Sequence, residues 1–259
     1  MDYSERVAII TGAANGIGRA TSIHLANKGL SLVLIDTDHE NLSSVWEEVT
    51  NRGAECKLII GDISDNETPG SAIDAASSLG DIYYLFNNAG IESVSTIEEL
   101  DYKDFLDTIR VNLGGYFLMT KAVIPHMKRK ASGVIVNNSS DAGLRGMRKS
   151  IGYGSSKAGV IQFTKSLCLD LAGYNIRVNC ICPGVIKTAL CDRFNHEIGK
   201  RSGISGNEAQ AKFIEKYVPL KRYGTTEDVA YLVDFLFSEN SSYINGAIIP
   251  IDGGLTSGI

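Results

Sequence analysis

Seven short apolar runs, separated by longer amphipathic segments, set the strongest limit on how this chain folds. The runs are Arg6–Thr11, Ser31–Asp36, Cys56–Asp62, Ile82–Asn87, Gly133–Ser139, Ile176–Cys182 and Ala247–Asp252. Each is rich in Val, Ile and Leu and nearly continuous in apolar character, the pattern of strands buried on both faces. Helical spacing fills the gaps between them. Ile17, Ala20, His24, Leu25 and Lys28 share a face in the first gap, and Leu42, Val45, Trp46 and Val49 in the second. Further helices are expected over Glu67–Leu79, Tyr102–Arg129, Tyr153–Ala172 and Thr225–Phe237. The last opens with Thr225-Thr226-Glu227-Asp228, a capping and dipole signal. Such alternation implies right-handed crossovers and a single α/β domain, residues 1–259, doubly wound around a seven-stranded parallel sheet. The segment from about 187 to 223 breaks the pattern. It is long, polar and weakly periodic, and is expected to be a substrate-binding loop or lid.

The chain has 259 residues, 44% hydrophobic and 21% charged, which suits one sizeable core and excludes a disordered or fibrous chain. A net charge of −5 with no Lys/Arg block gives no support to nucleic-acid binding. Apolar runs such as Val7–Ile10 and Leu32–Ile35 fall far short of the roughly 20 residues that span a bilayer, so no membrane partner is expected. Neither a basic n-region nor a long apolar stretch opens the chain, so no signal peptide is expected. The five cysteines (56, 168, 180, 182 and 191) read as reduced thiols of a cytoplasmic protein. Cys180 and Cys182 share one face of a strand, but no second Cys or His pair accompanies them, and no metal site is expected.

Glycine is in excess, at 27 residues against five prolines. Part of the excess stands directly after the first strand, as Thr11-Gly12-Ala13-Ala14-Asn15-Gly16-Ile17-Gly18, and a helix follows. Strand, glycine loop and helix form the context of a dinucleotide site: bare backbone approaches a pyrophosphate, and the helix N-terminus adds partial positive charge. Asp36 ends the second strand, where a carboxylate can accept from a ribose diol and would repel a 2′-phosphate. Positions 14, 15 and 37 hold Ala, Asn and Thr, with no cation to favour that phosphate, so NAD is expected over NADP.

Tyr153 and Lys157 stand one helical turn apart on one face. A phenol has an ordinary pKa near 10, and a neighbouring ammonium favours phenolate, which suits proton exchange with an alcohol oxygen. Tyr217 and Lys221 show the same spacing, but Pro219 between them opposes a continuous helix. Tyr153 opens an apolar-periodic helix after a strand ending in Asn138-Ser139-Ser140, where a hydroxyl can meet a substrate carbonyl.

Taken together these residues resemble the short-chain dehydrogenase/reductase family over essentially the whole chain. The other carriers of the resemblance are Asn87-Asn88-Ala89-Gly90, Asn112, Ser140 thirteen residues before Tyr153, Pro183–Thr188 and Asp252-Gly253-Gly254. The resemblance implies a Rossmann-type fold and a catalytic tetrad of Asn112, Ser140, Tyr153 and Lys157. In it Ser140 orients the substrate oxygen, Tyr153 exchanges the proton, Lys157 lowers the tyrosine pKa and holds the ribose, and Asn112 holds a relay water. It implies cofactor contacts from Gly12, Asn15, Gly16, Ile17, Gly18 and Asp36, with Asp62 and Ile63 at the adenine. Asn88, Ala89 and Gly90 would run along the cofactor, and Ile186 and Thr188 would meet the nicotinamide amide. Asn87 and Asn179 read as structural.

The implied activity is NAD(H)-linked interconversion of a small secondary alcohol and a ketone, by a homotetramer. The alternatives are reduction of a 3-oxoacyl thioester on a carrier protein and, outside enzymes, a cofactor-binding regulator. Arg145, Arg148 and Lys149 precede Tyr153, and residues 187–222 carry eight Lys/Arg against four Asp/Glu. That local excess either attracts an anionic substrate or forms a solvated face.

Overall fold

The computed structural model describes residues 6–188, 191 and 205–258. All seven expected strands form: β1 (Arg6–Thr11), β2 (Ser31–Asp36), β3 (Cys56–Ile60), β4 (Asp81–Asn87), β5 (Gly133–Asn138), β6 (Ile176–Pro183) and β7 (Ile248–Ile251). They make one parallel sheet in the order β3-β2-β1-β4-β5-β6-β7. The order reverses between β1 and β4, so a crevice opens there beyond the carboxyl ends of the strands. Pro250 lacks an N–H for a ladder, and it sits in the edge strand β7 where none is needed on the outer side.

Helices cover both faces of this sheet, and each face has its own core. On one side Ile10, Leu32, Leu34 and Phe86 pack with α1 (Gly16–Ala26), α2 (His39–Thr50) and the helix at Thr226–Phe237. On the other, Ile9, Val33, Leu85 and Ile135 meet α3 (Thr68–Ser77), α5 (Tyr116–Lys130) and α6 (Ile151–Leu171). Alternate residues of β1 thus enter opposite cores, which explains why its apolar character is unbroken.

Three local readings change. The helix expected over Tyr102–Arg129 is α4 (Tyr102–Ile109), a π-helical turn at Arg110–Gly115, and then α5. Gly114-Gly115 signalled close packing there: the Ile63 Cδ1 lies 2.5 Å from where a Gly115 Cβ would stand. The segment expected to be a loop over 187–223 contains helix α7 (Gly206–Tyr217), started by Ser205, whose hydroxyl accepts from the Glu208 amide at 3.2 Å. Residues 189–190 and 192–204 of that segment lie outside the described residues. Finally, α1 buries Gly18, Thr21, Ser22 and Leu25, while Lys28 is exposed. Its inner face is chosen for small size, because it lies close against α8 (Thr226–Phe237).

Candidate active site

The glycine turn leaves β1 with its backbone held against neighbouring strands. Gly12 has φ +65°, and a Cβ there would fall 2.8 Å from the Ala89 Cα. A Cβ on Gly18 would fall 2.0 Å from the Gly12 carbonyl oxygen, so no side chain fits at either position. No side chain caps the start of α1 and its first turn is free of acidic residues, so its leading amides face outward with their partial positive charge. Uncapped amides and a bare glycine cradle fit a pyrophosphate. Thr188 reaches this turn from the far side, with its Cγ2 3.2 Å from a Cβ position on Gly16. Asp36 accepts from the Ala14 amide at 3.0 Å and from the Asp38 amide at 3.1 Å, which fixes a carboxylate beside the turn. Exposed Asn15 donates to Asp38 at 3.2 Å.

Beyond Asp36, the Asp62 carboxylate accepts from the Ser64 amide and hydroxyl, and from Arg110 at 3.3 Å. Those hydrogen bonds and the Arg110 charge outweigh burial and hold its pKa below the usual range. Ile63 and Ile186 are both buried, with the Ile63 side chain packed toward Gly115 and the Ile186 side chain toward Gly224.

A row of asparagines joins the strand ends. Asn88 donates to the Thr11 carbonyl at 3.0 Å and the Gly12 carbonyl at 3.1 Å, and accepts from Asn138 at 2.9 Å. Asn87 donates to Asn137 and Thr120, and Asn179 clasps Ile244 and Ala247. Both are structural, as expected. Gly90 lies beside the site: a Cβ there would stand 3.5 Å from the Lys157 Nζ.

Lys157 is 3% exposed, and its ammonium donates to the Asn138 carbonyl at 2.8 Å and to the Tyr116 hydroxyl at 3.5 Å. Burial lowers its pKa to about 8, against a smaller opposing pull from Cys180, Cys182 and Glu92. Its Nζ lies 5.6 Å from the centre of the Tyr153 ring. Burial chiefly raises the Tyr153 phenol, Glu92 and Asp141 add to that, and a hydrogen bond with Ser140 works the other way. The Ser140 hydroxyl accepts from the Ala142 amide at 3.2 Å and meets the Asp141 carboxylate at 3.2 Å, and that carboxylate is paired with Arg145 at 2.7 Å.

Asn112, fully buried in the π turn, clamps the segment after Gly90. Its amide donates to the Ile91 carbonyl at 2.9 Å and to Ser156 at 3.0 Å, and its oxygen accepts from the Ile91 N–H at 2.8 Å. The decoy pair separates as its proline demands. Tyr217 ends α7, while Lys221 has a left-handed backbone and donates to the Glu215 carbonyl.

Sequence reasoning passed over Tyr116, Asn138 and Glu92. Tyr116 is buried with its hydroxyl donating to the Asn138 carbonyl at 3.2 Å, but in the sequence it is one aromatic residue in an amphipathic helix. The doublets Asn87-Asn88 and Asn137-Asn138, at adjoining strand ends, were the available signal for the asparagine row.

A seven-stranded doubly wound sheet with a glycine cradle at its switch point defines a Rossmann-type protein. The chain belongs to the short-chain dehydrogenase/reductase family. A family described as enoyl-(acyl carrier protein) reductase matches residues 12–256. Levodione reductase of Leifsonia aquatica is 34% identical, over 97% of this chain and 94% of its own length. The 3-oxoacyl-(acyl-carrier-protein) reductase of Thermotoga maritima is 36% identical, over 98% of this chain and 99% of its own. The crystal structure of NAD+-bound xylitol dehydrogenase superposes with a TM-score of 0.93 at 32% identity, covering 98% of this chain and 100% of that one. No helix among the described residues is long and apolar enough to cross a membrane.

Proposed function

We propose that this protein, read as one unit over residues 1–259, interconverts a secondary alcohol and a ketone with NAD(H). The observation that carries the reading is the Tyr153 phenol, whose ring centre lies 5.6 Å from the buried Lys157 ammonium at the carboxyl edge of the sheet, with Ser140 lowering its pKa against burial. When bound, the nicotinamide supplies or accepts the hydride. The chain's own residues handle the proton. Tyr153 takes it from the alcohol at its phenolic oxygen, or returns it to the ketone oxygen. Ser140 donates to that substrate oxygen, and the Lys157 charge favours the phenolate and holds the cofactor ribose. Asn112 has its side chain spent on Ile91 and Ser156, so its part in a proton relay falls to its main chain and a water. Gly12, Asn15, Gly16, Ile17 and Gly18 hold the pyrophosphate and Asp36 the ribose diol. Asp62 and Ile63 border the adenine, Asn88, Ala89 and Gly90 the cofactor's length, and Ile186 and Thr188 the nicotinamide amide.

The NAD+-bound neighbour and the position of Asp36 support NAD over NADP. Purified protein, screened with NAD and NADP against alcohols and ketones, tests the reading beside Tyr153→Phe. The expected loss in kcat for that variant is at least ~100-fold, the lower end for general acid–base catalysis. Undiminished turnover by Tyr153→Phe refutes the assignment, and a clear preference for NADP refutes the role of Asp36.

A second reading, reduction of a 3-oxoacyl thioester, is favoured by the Thermotoga maritima relative and by the description of the matching family. Turnover of acetoacetyl thioesters in preference to free ketones decides for it. We further propose a homotetramer acting in the cytoplasm on a small molecule, supported by five free cysteines and by exposed Tyr102, Phe117 and Leu169 on α4, α5 and α6.

A further inference from the structure

Asp141 is a buried carboxylate that the proton chemistry above leaves unused, one residue after Ser140 and 7% exposed. It opens the single turn Asp141–Gly143, which packs directly on α6. A Cβ on Gly143 would stand 2.8 Å from the Lys157 carbonyl oxygen, and one on Gly154 would stand 3.2 Å from the Ala142 carbonyl oxygen. The turn is thus fixed relative to Tyr153. The Asp141 carbonyl accepts from the Leu144 amide at 3.0 Å and the Arg145 amide at 3.1 Å, which brings the Arg145 side chain back to the carboxylate.

That carboxylate is shared unequally. Its Oδ2 accepts from Arg145 at 2.7 Å, a charge-assisted hydrogen bond at full strength. Its Oδ1 meets the Ser140 hydroxyl at 3.2 Å, well beyond the roughly 2.5–2.7 Å of a hydroxyl bound firmly to a carboxylate. The Ser140 oxygen already accepts from the Ala142 amide at 3.2 Å, and a hydroxyl has a single proton to give. That proton goes either to Asp141 or to a substrate oxygen.

We propose that Arg145 is a positioning residue for the Ser140 proton. By holding Asp141 through Oδ2, it keeps the carboxylate close enough to aim the hydroxyl and too far away to capture its proton. Ser140 is then able to donate to a substrate oxygen. This deepens the alcohol–ketone reading and rests on it. Among the described residues, the titratable groups that bear on the Tyr153 phenol are Lys157 of α6, Tyr116 of α5, Glu92 after β4 and Asp141 of this turn. Of these, only Asp141 is altered or relieved of its counter-charge in the variants below.

The test loads each protein with NAD and titrates it with cyclohexanone by calorimetry. The oxidised cofactor has no hydride to give, so binding reads the Ser140 hydrogen bond without turnover. Arg145→Gln is expected to weaken cyclohexanone binding about tenfold, the upper worth of one net hydrogen bond. Adding Asp141→Asn should bring the affinity back to within about threefold of the parent, as coupled neighbours do. A merely structural pair gives the opposite, a double variant no better than the single one. A second readout is the pH profile of oxidation of an alcohol that the wild-type protein turns over. Its rising limb should move to higher pH in Arg145→Gln, where Asp141 acts on the phenol uncompensated, and to lower pH in Asp141→Asn. Should Arg145→Gln fail to fold, Asp141→Asn decides alone. Unchanged affinity in Arg145→Gln, a double variant without rescue, or a limb that stays or moves up in Asp141→Asn overturns the proposal. The underlying reading fails separately, when wild-type protein binds NAD yet neither binds nor turns over any alcohol or ketone of the wider panel.

Discussion

At the scale of single residues, two substitutions probe the site from opposite ends. Gly18→Ala drives a methyl group to 2.0 Å from the Gly12 carbonyl, and that backbone has no flexible end to yield. We expect Gly18→Ala to lose dinucleotide binding altogether in calorimetry and to unfold at lower temperature, while Ala at open Gly29, where a Cβ meets nothing within 4 Å, leaves binding intact. Lys157 carries a pH signature. Its folded pKa of about 8 lies below the ordinary value of 10.5. Below about pH 8 both folded and unfolded chains hold this proton. Between about 8 and 10.5 only the unfolded chain does, so this group makes stability rise with pH across that window and has no further effect below it. Lys157→Met should remove that rise, as read by denaturant midpoints at pH 7.5 and 9.5. The same substitution should move the rising limb of alcohol oxidation to higher pH, since the phenolate then lacks its neighbouring ammonium.

At the scale of elements, what the sequence made visible depended on whether the signal was local. The capping residues of α8 announced its start, and the structure has the full reciprocal box between Thr225 and Asp228. Thr225→Ala should cost about 1 kcal/mol, the usual worth of an N-cap, and lower the thermal midpoint by a few degrees without changing kcat. The Ser205-to-Glu208 signal for α7 was equally local, and it was overshadowed by the polar surface of that helix, which buries only Gln210 and Ile214. The π turn between α4 and α5 had no such signal. It arises where Asn112 reaches back to Ile91 and Gly115 admits Ile63, two contacts between segments far apart in the chain.

At the scale of the whole molecule, the order β3-β2-β1-β4-β5-β6-β7 brings together residues from four strand ends. Thr11, Asn88 and Asn138 tie three of those ends by hydrogen bonds, and Lys157 of α6 bonds to the same Asn138. Binding of dinucleotide should therefore stabilise the protein as a unit. At a hundred times the dissociation constant the gain is about 2.7 kcal/mol, and NAD should raise the melting temperature more than NADP at equal concentration. Light scattering should return a mass four times that of the chain, and a monomer would refute the tetramer.

By itself the sequence determined the seven strands and their parallel pairing, because a strand buried on both faces leaves an unbroken apolar run and the helices between force crossovers. It also determined the glycine turn, Asp36 and the Tyr153–Lys157 spacing, because each is written within one turn or one strand end. Only the tertiary structure decided which polar residues face the reacting groups. Tyr116, Asn138, Glu92 and Asp141 come from four separate segments, and what brings them beside Tyr153 and Lys157 is the lateral order of strands, which no local pattern encodes. Arg145 likewise reads as a free cation along the chain, and in the fold it is paired with Asp141 at 2.7 Å.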